Sequence, residues 1–191
     1  MFVRRCLLLW LMVLFPLSAT ATMVEAMEIE TMADRASEVV RGTVKTIEVK
    51  RMEGRIETHI TLDIERAWKG RVEPDSTVVV VVPGGQIGNL AQTAAGIPEI
   101  SVKDRVVLFL WRPATAPIHP FRILGLSQGH FRVVEEEGAS VAVSDRRELT
   151  RLTKSTGKET AGTEVRLPLK ELEERVEGIV LPSQAPRGIS R

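Results

Sequence analysis

The sequence predicts a mainly β fold: a small barrel of short strands with short flanking helices and a C-terminal amphipathic helix. Three observations carry that expectation. Residues 55–68 alternate, with Ile56, Thr58, Ile60, Leu62, Ile64 and Trp68 on one face and Glu57, His59, Thr61, Asp63 and Glu65 on the other. Val78–Val82 and Val106–Trp111 are short, continuous and rich in β-branched residues, the pattern of strands covered on both faces. Turn-forming Glu53-Gly54 and Glu137-Gly138 separate these periodic stretches.

The first 21 residues are read as a leader rather than as part of the fold. Arg4 and Arg5 open it, Cys6 to Leu17 is an apolar run, and Ala19-Thr20-Ala21 has the A-x-A form of a secretory cleavage site. Pro16 and Ser18 interrupt the run before it reaches the roughly 20 residues that a spanning helix needs. The expected localisation is therefore periplasmic or extracellular, with no stable membrane insertion after cleavage. Removal of the leader takes the lone cysteine with it and leaves 24 basic against 25 acidic side chains. That balance offers no electrostatic footprint for nucleic acid. A chain without disulfides must stand on its core, and the 170 residues after the leader suffice for one.

Within the N-terminal segment 22–38, Ile29, Met32, Ala33 and Ala36 fall at helical spacing and predict a short helix. The β region follows at 39–144. From Val39 to Lys50 the alternation changes parity between Val44 and the pair Ile47 and Val49, as a β-bulge requires. Further strands are expected at 121–126, 130–134 and 140–144. Residues 145–166 are polar and lack periodicity, so they read as a linker or loosely held loop. Pro168 suits a first helical position, and Leu169, Leu172, Val176 and Ile179 form one apolar stripe, which predicts a helix over 167–181 that docks on the barrel. Residues 182–191 are expected to be a disordered tail.

The segment between the third and fourth strands is long and rich in glycine. Pro83-Gly84-Gly85 lets the chain leave the sheet sharply, but Gly84, Gly85 and Gly88 have neither the spacing of a dinucleotide loop nor the lysine of a phosphate loop. Asn89 with Gln92 has the form of a capping box, and Gly96 and Pro98 suit a helix end, so a short helix is expected near 89–95. Long polar loops are where binding surfaces usually lie. The candidate contact residues are Gly84, Gly85, Gln86, Asn89, Gln92 and Thr93, joined by His119 and Arg122.

Catalytic and metal patterns are weaker. Gly125-Leu126-Ser127-Gln128-Gly129 spells the G-x-S-x-G hydrolase motif, which works only at a strand-to-helix turn. Here His130-Phe131-Arg132-Val133 continues as a strand, so the glycines serve a turn between strands. A triad of Ser127, His130 and Asp104 or Asp145 stays as an alternative. His59, His119 and His130 lack zinc spacing, and no metal or other cofactor is expected. Glu57, Asp63 and Glu65 read as a solvated strand face, with His59 exposed among them. The few aromatic residues, Trp68, Trp111, Phe109, Phe121 and Phe131, fall mostly at inward positions and offer no stacking platform.

The order of elements, a bent first strand, a hairpin, a helix between the third and fourth strands and closing strands, resembles the OB-fold, a small Greek-key barrel. The phrases Val39-Val40-Arg41-Gly42-Thr43-Val44, Trp68-Lys69-Gly70, Pro83-Gly84-Gly85 and Val106-Val107-Leu108-Phe109-Leu110 look like a bacterial exported group within the netrin and tissue-metalloproteinase-inhibitor-like set. The resemblance covers roughly residues 30–144. Inhibitors of that set place an N-terminal cysteine on the protease zinc, and a chain starting near Thr22 has none, so that mechanism does not carry over. The expected function is a non-enzymatic binding module that contacts another exported protein through residues 83–104. A protease-associated inhibitor or chaperone is the alternative, and a serine hydrolase the second.

Overall fold

The computed structural model describes residues 22–112, 120–153 and 156–184, so the expected leader and the last residues of the expected tail lie outside the described residues. The fold is mainly β, with 55% of it in strands and 15% helical. In chain order the elements are β1 (Thr22–Glu25), α1 (Ile29–Arg35), β2 (Glu38–Met52), β3 (Arg55–Lys69), β4 (Thr77–Pro83), β5 (Gly85–Ile87) and β6 (Leu90–Gln92). They continue as β7 (Arg105–Trp111), β8 (Arg122–Ile123), β9 (His130–Glu136), β10 (Ala139–Ser144), β11 (Leu149–Thr153), β12 (Lys158–Ala161), β13 (Val165–Pro168) and α2 (Leu169–Gln184).

One eight-stranded sheet dominates, in the order β13-β10-β9-β7-β2-β3-β4 with β8 pairing β7. The sheet is not closed into a barrel. Between β4 and the segment carrying β8 there is one parallel bridge, Val80 to Phe121. Gly125 and Leu126 take positive φ (67° and 59°), which ends the strand expected over 121–126.

The two faces of this sheet build two cores, and β7 shows why. Val107 and Phe109 join one cluster with Val39, Phe131 and the inward residues of α1 and α2. Val106, Leu108 and Leu110 join the other with Val40, Ile60, Leu62, Val80 and Phe121. A continuous apolar run is what a strand covered on both faces requires. In β2 the register shifts between Val44 and Thr46, where the parity change predicted a bulge. Further shifts at Val39/Val40 and Arg41/Gly42 correct one expectation. They separate Trp68, packed on the first cluster, from Ile64, which lies in the second. Trp111 at the end of β7 is exposed rather than inward.

Helix α2 lays Leu169, Leu172, Val176 and Val180 on the first cluster. Its polar flank is tied down too: Glu173 pairs with Arg41 and Arg66, and Glu177 accepts from Arg66 and from Trp68 Nε1 (3.2 Å). Pro168 is the last residue of β13 rather than the first of the helix, and the helix runs on to Gln184, into the expected tail.

Two further expectations are corrected. Residues 145–166 are not a featureless linker: β11 pairs antiparallel with β12, and β13 pairs with β10. The one fully buried residue of β11 is Leu149, 1% exposed, while every residue of β12 is exposed, so periodicity had little to report. β1 adds to β11 in parallel, joining residues far apart in sequence. Residues 89–95 do not form a helix. Gly88 at φ 58° turns the chain into the hairpin β5-β6, with Gly85 opposite Gln92 and Ile87 opposite Leu90. The oxygen that a capping box would have used is taken elsewhere, because Gln92 Oε1 accepts from the N–H of Ile56 (3.0 Å).

Candidate functional site

The residues of the glycine-rich segment fall into two groups. Gly84, Gly85 and Gln92 seat the hairpin: a Cβ on Gly85 would lie 2.7 Å from a Val49 methyl carbon, and one on Gly84 would lie 2.7 Å from the Gln92 carbonyl oxygen. Gln86, Asn89 and Thr93 are open to solvent, and Gln86 Nε2 donates to the Gly88 carbonyl (3.1 Å). Ile87 and Leu90 beside the turn are exposed apolar side chains that the candidate set did not include. Arg122 pairs with Glu57 at 3.6 Å. His119 lies outside the described residues. His59 is half-buried rather than exposed: its Nε2 is 3.8 Å from Glu57 and has no hydrogen-bond partner.

The deeper site lies at the start of β9, beside the second core. Residues directly opposite in an antiparallel ladder share a face. His130 stands opposite Leu108, and Arg132 stands opposite Val106 and Val143. His130 and Arg132 therefore point to the face of the second cluster, while Phe131 and Val133 serve the first. Residues 96–99 cross in front of them. Between these parts is an open-mouthed cavity of about 540 Å³, lined among others by Gly96, Ile97, Glu99, Ser127, His130 and Arg132, with Val143, Asp145, Arg147, Glu148 and Glu164 completing its wall. That volume is in the range of ligand sites, roughly 300–1,000 Å³.

The Gly-Leu-Ser-Gln-Gly stretch forms a 3-10 turn, Leu126–Gly129, that feeds directly into β9. Both of its glycines are required by the backbone. Gly125 has φ 67°, and a Cβ on Gly129 would stand 2.1 Å from the Leu124 carbonyl oxygen. The turn is pinned on several sides. Ser127 N–H donates to the Gly96 carbonyl (2.9 Å), Ser144 Oγ donates to the Ser127 carbonyl (2.8 Å), and Arg146 donates to the Gln128 carbonyl (3.3 Å). Arg146 is itself almost wholly buried over the Phe131 ring, and burial pushes its guanidinium down to about 10.

Ser127 and His130 are 2% and 4% exposed, yet Ser127 Oγ and His130 Nε2 have no hydrogen-bond partner. Burial, and then the charge of Arg132, pushes the His130 imidazole down to about 4, so it is neutral at neutral pH. Asp145 is gripped by Arg147, whose Nε and N–H donate to it at 2.9 and 3.1 Å, and these bonds hold the carboxyl at about 2. Ser127, His130 and Asp145 thus line one cavity, but no hydrogen bond links them into a relay. Asp104 lies elsewhere, capping the N–H of Ser101 at 2.7 Å. Among the described residues no group of three or more His, Cys, Asp or Glu side chains could hold a metal ion.

Sequence reasoning named Ser127, His130 and Asp145 but not the rest of the wall. Arg132 shares the face of His130 by its two-residue spacing, a signal that was present. Glu99, Glu148 and Glu164 come from three separate loops and had no common signal. No protein-family model and no curated protein matches this chain.

Proposed function

We propose that this chain is an exported, non-enzymatic binding module of OB-like, netrin-like architecture, whose ligand is a segment of another exported protein seated at residues 83–104 and in the cavity behind residues 96–99. The observation that carries this reading is the pair of buried, unpartnered polar atoms, Ser127 Oγ and His130 Nε2, in the wall of that cavity. A buried polar group without a partner costs about 1–3 kcal/mol. A ligand that supplies both partners recovers that cost, which is a reason for a fold to keep them. The exported part rests on the leader, and the OB-like part on strand order and on the Val80–Phe121 bridge, which begins a closure between β4 and β8.

The test is a crosslinked pull-down from the native envelope and medium with the wild-type protein, with Arg132→Glu on the exposed cavity rim, and with residues 84–97 replaced by a Gly-Ser bridge. Melting curves would first establish that all three are folded. A partner captured by the wild type and lost by both variants supports the reading. A partner retained by both moves the site elsewhere and overturns it.

A second reading, a serine hydrolase, is favoured by one observation: Ser127, His130 and Asp145 line the same cavity. It requires fluorophosphonate labelling of the wild type that Ser127→Ala abolishes. A folded wild type that stays unlabelled removes it.

A further inference from the structure

We propose that the cavity takes a residue carrying both a free α-carboxylate and a basic side chain: the C-terminal lysine or arginine of a polypeptide, or the same amino acid in free form. The inference rests on the reading of this cavity as the ligand seat, and it follows from which of the lining groups are already satisfied.

Six charged side chains line the cavity: Glu99, Arg132, Asp145, Arg147, Glu148 and Glu164. Asp145 and Arg147 neutralise each other through a two-point contact. Glu164 is engaged by Arg166 at 2.8 Å. Among the described residues, Arg132, Glu99 and Glu148 are the lining charges without a side-chain ion pair, Glu99 feeling Arg147 only through space. Arg132 is exposed, and its charge reaches His130 and Asp145 through space rather than through a bond. Glu148 Oε2 accepts from the Gly96 N–H (3.1 Å), and Glu99 lies three residues further along the same stretch, in the field of Arg147.

The chemistry of the buried floor decides which part of a ligand it receives. The Ser127 hydroxyl and a neutral imidazole can both donate to an oxygen anion, and Arg132 lies two residues from His130 on the same strand face. A cation placed there would meet the field of Arg132 on a floor that already disfavours positive charge. A carboxylate therefore belongs at the Ser127–His130–Arg132 end. Glu99 and Glu148 would repel a purely anionic ligand, and they accommodate one that also brings a cation. A cation alone would leave Arg132 and the two buried groups unanswered. A carboxylate and an ammonium or guanidinium on one residue answer all five groups.

The experiment is a titration of the purified protein followed by calorimetry and by backbone amide shifts. Its probes are Nα-acetyl-lysine, Nα-acetyl-lysinamide, Nα-acetyl-norleucine and free lysine. The expected result is that Nα-acetyl-lysine binds and shifts the amides of residues 96–99 and 127–132. Loss of the carboxylate in the amide, or of the cation in the norleucine derivative, weakens binding by about tenfold or more, roughly the effect of one lost ion pair. Arg132→Gln and Glu99→Gln, both at exposed positions with melting temperatures checked, each weaken Nα-acetyl-lysine to a similar degree. Free lysine binding as well as the acetylated form assigns the site to a free amino acid, and its failure beside a binding acetyl-lysine assigns it to a chain terminus. Equal binding of the amide or the norleucine derivative at the same residues overturns the dipolar ligand while leaving a working binding cavity. Absence of binding by every probe also overturns it, and the pull-down then decides the binding-module reading on its own.

Discussion

Gln128 holds Met27 from a distance of 101 residues along the chain: its side-chain oxygen accepts the Met27 backbone N–H at 3.1 Å. The same side chain, fully buried, donates through Nε2 to the Glu25 carbonyl at 3.0 Å. One glutamine thus clasps the segment between β1 and α1, and it belongs to the stretch whose letters spell a hydrolase motif. Gln128→Leu keeps the volume and strands a buried N–H and a carbonyl, at a cost of about 2–3 kcal/mol. Urea unfolding measures the loss, and faster hydrogen exchange at Met27 locates it. Unchanged stability would show that the clasp contributes nothing.

A second clasp joins the end of β3 to the start of β2. Glu38, 4% exposed, accepts the backbone N–H groups of Arg71 (2.8 Å) and Val72 (3.1 Å). Gly70 lies against it at φ 101°, and a Cβ there would stand 1.7 Å from Glu38 Oε2. Gly70→Ala combines a disfavoured backbone conformation with that collision, so it should destabilise by more than about 1 kcal/mol. Gly54→Ala is the control: it shares the positive φ but has open space around it. Equal losses for the two would remove the collision from the account.

His130 gives stability a defined pH dependence. Its folded pKa of about 4 lies below the ordinary 6.5, so between these values the unfolded chain binds a proton that the native state refuses. Its contribution is whole above about pH 6.5, falls as the pH drops towards 4, and is fully lost below that. The total is about 3 kcal/mol from a shift of this size. Unfolding free energies for the wild type and for His130→Gln across pH 4 to 7 test it, the variant having the flatter slope. Parallel curves would mean that another group titrates.

Ser127→Ala separates a packing role from a ligand role. The Ser127 hydroxyl is buried and bonds to nothing, so its removal should leave the melting temperature unchanged or raise it, by up to about 1 kcal/mol in stability. A clear loss of stability would mean that the hydroxyl has a partner in the folded protein.

The strand pattern was legible wherever one residue in two, or every residue, faced apolar surroundings. Residues 106–110 read as doubly covered because each side meets a different core. The parity change after Val44 marked the bulge because a side chain cannot switch faces without an extra residue. Leu172 and Val176 marked the inward stripe of α2 for the equivalent reason at helical spacing.

The remainder was decided by partners that local pattern does not name. Lys158–Ala161 is a strand because β11 offers it hydrogen bonds, not because its side chains seek a core. Residues 89–92 had the letters of a helix start, yet the Gln92 oxygen is bonded to Ile56 on another strand, and a hairpin formed instead.

By itself, then, the sequence determined which face of residues 56–64 is buried, one of the three places where β2 breaks register and that the fold is mainly β, since side-chain periodicity is a local property. Only the tertiary structure decided that Gln128 is a clasp, that Ser127 and His130 lie buried in one wall, and that Glu99, Arg132 and Glu148 meet there. Those residues come from separate segments, and their charges and hydrogen bonds acquire a common meaning only when the sheet brings them within reach of one another.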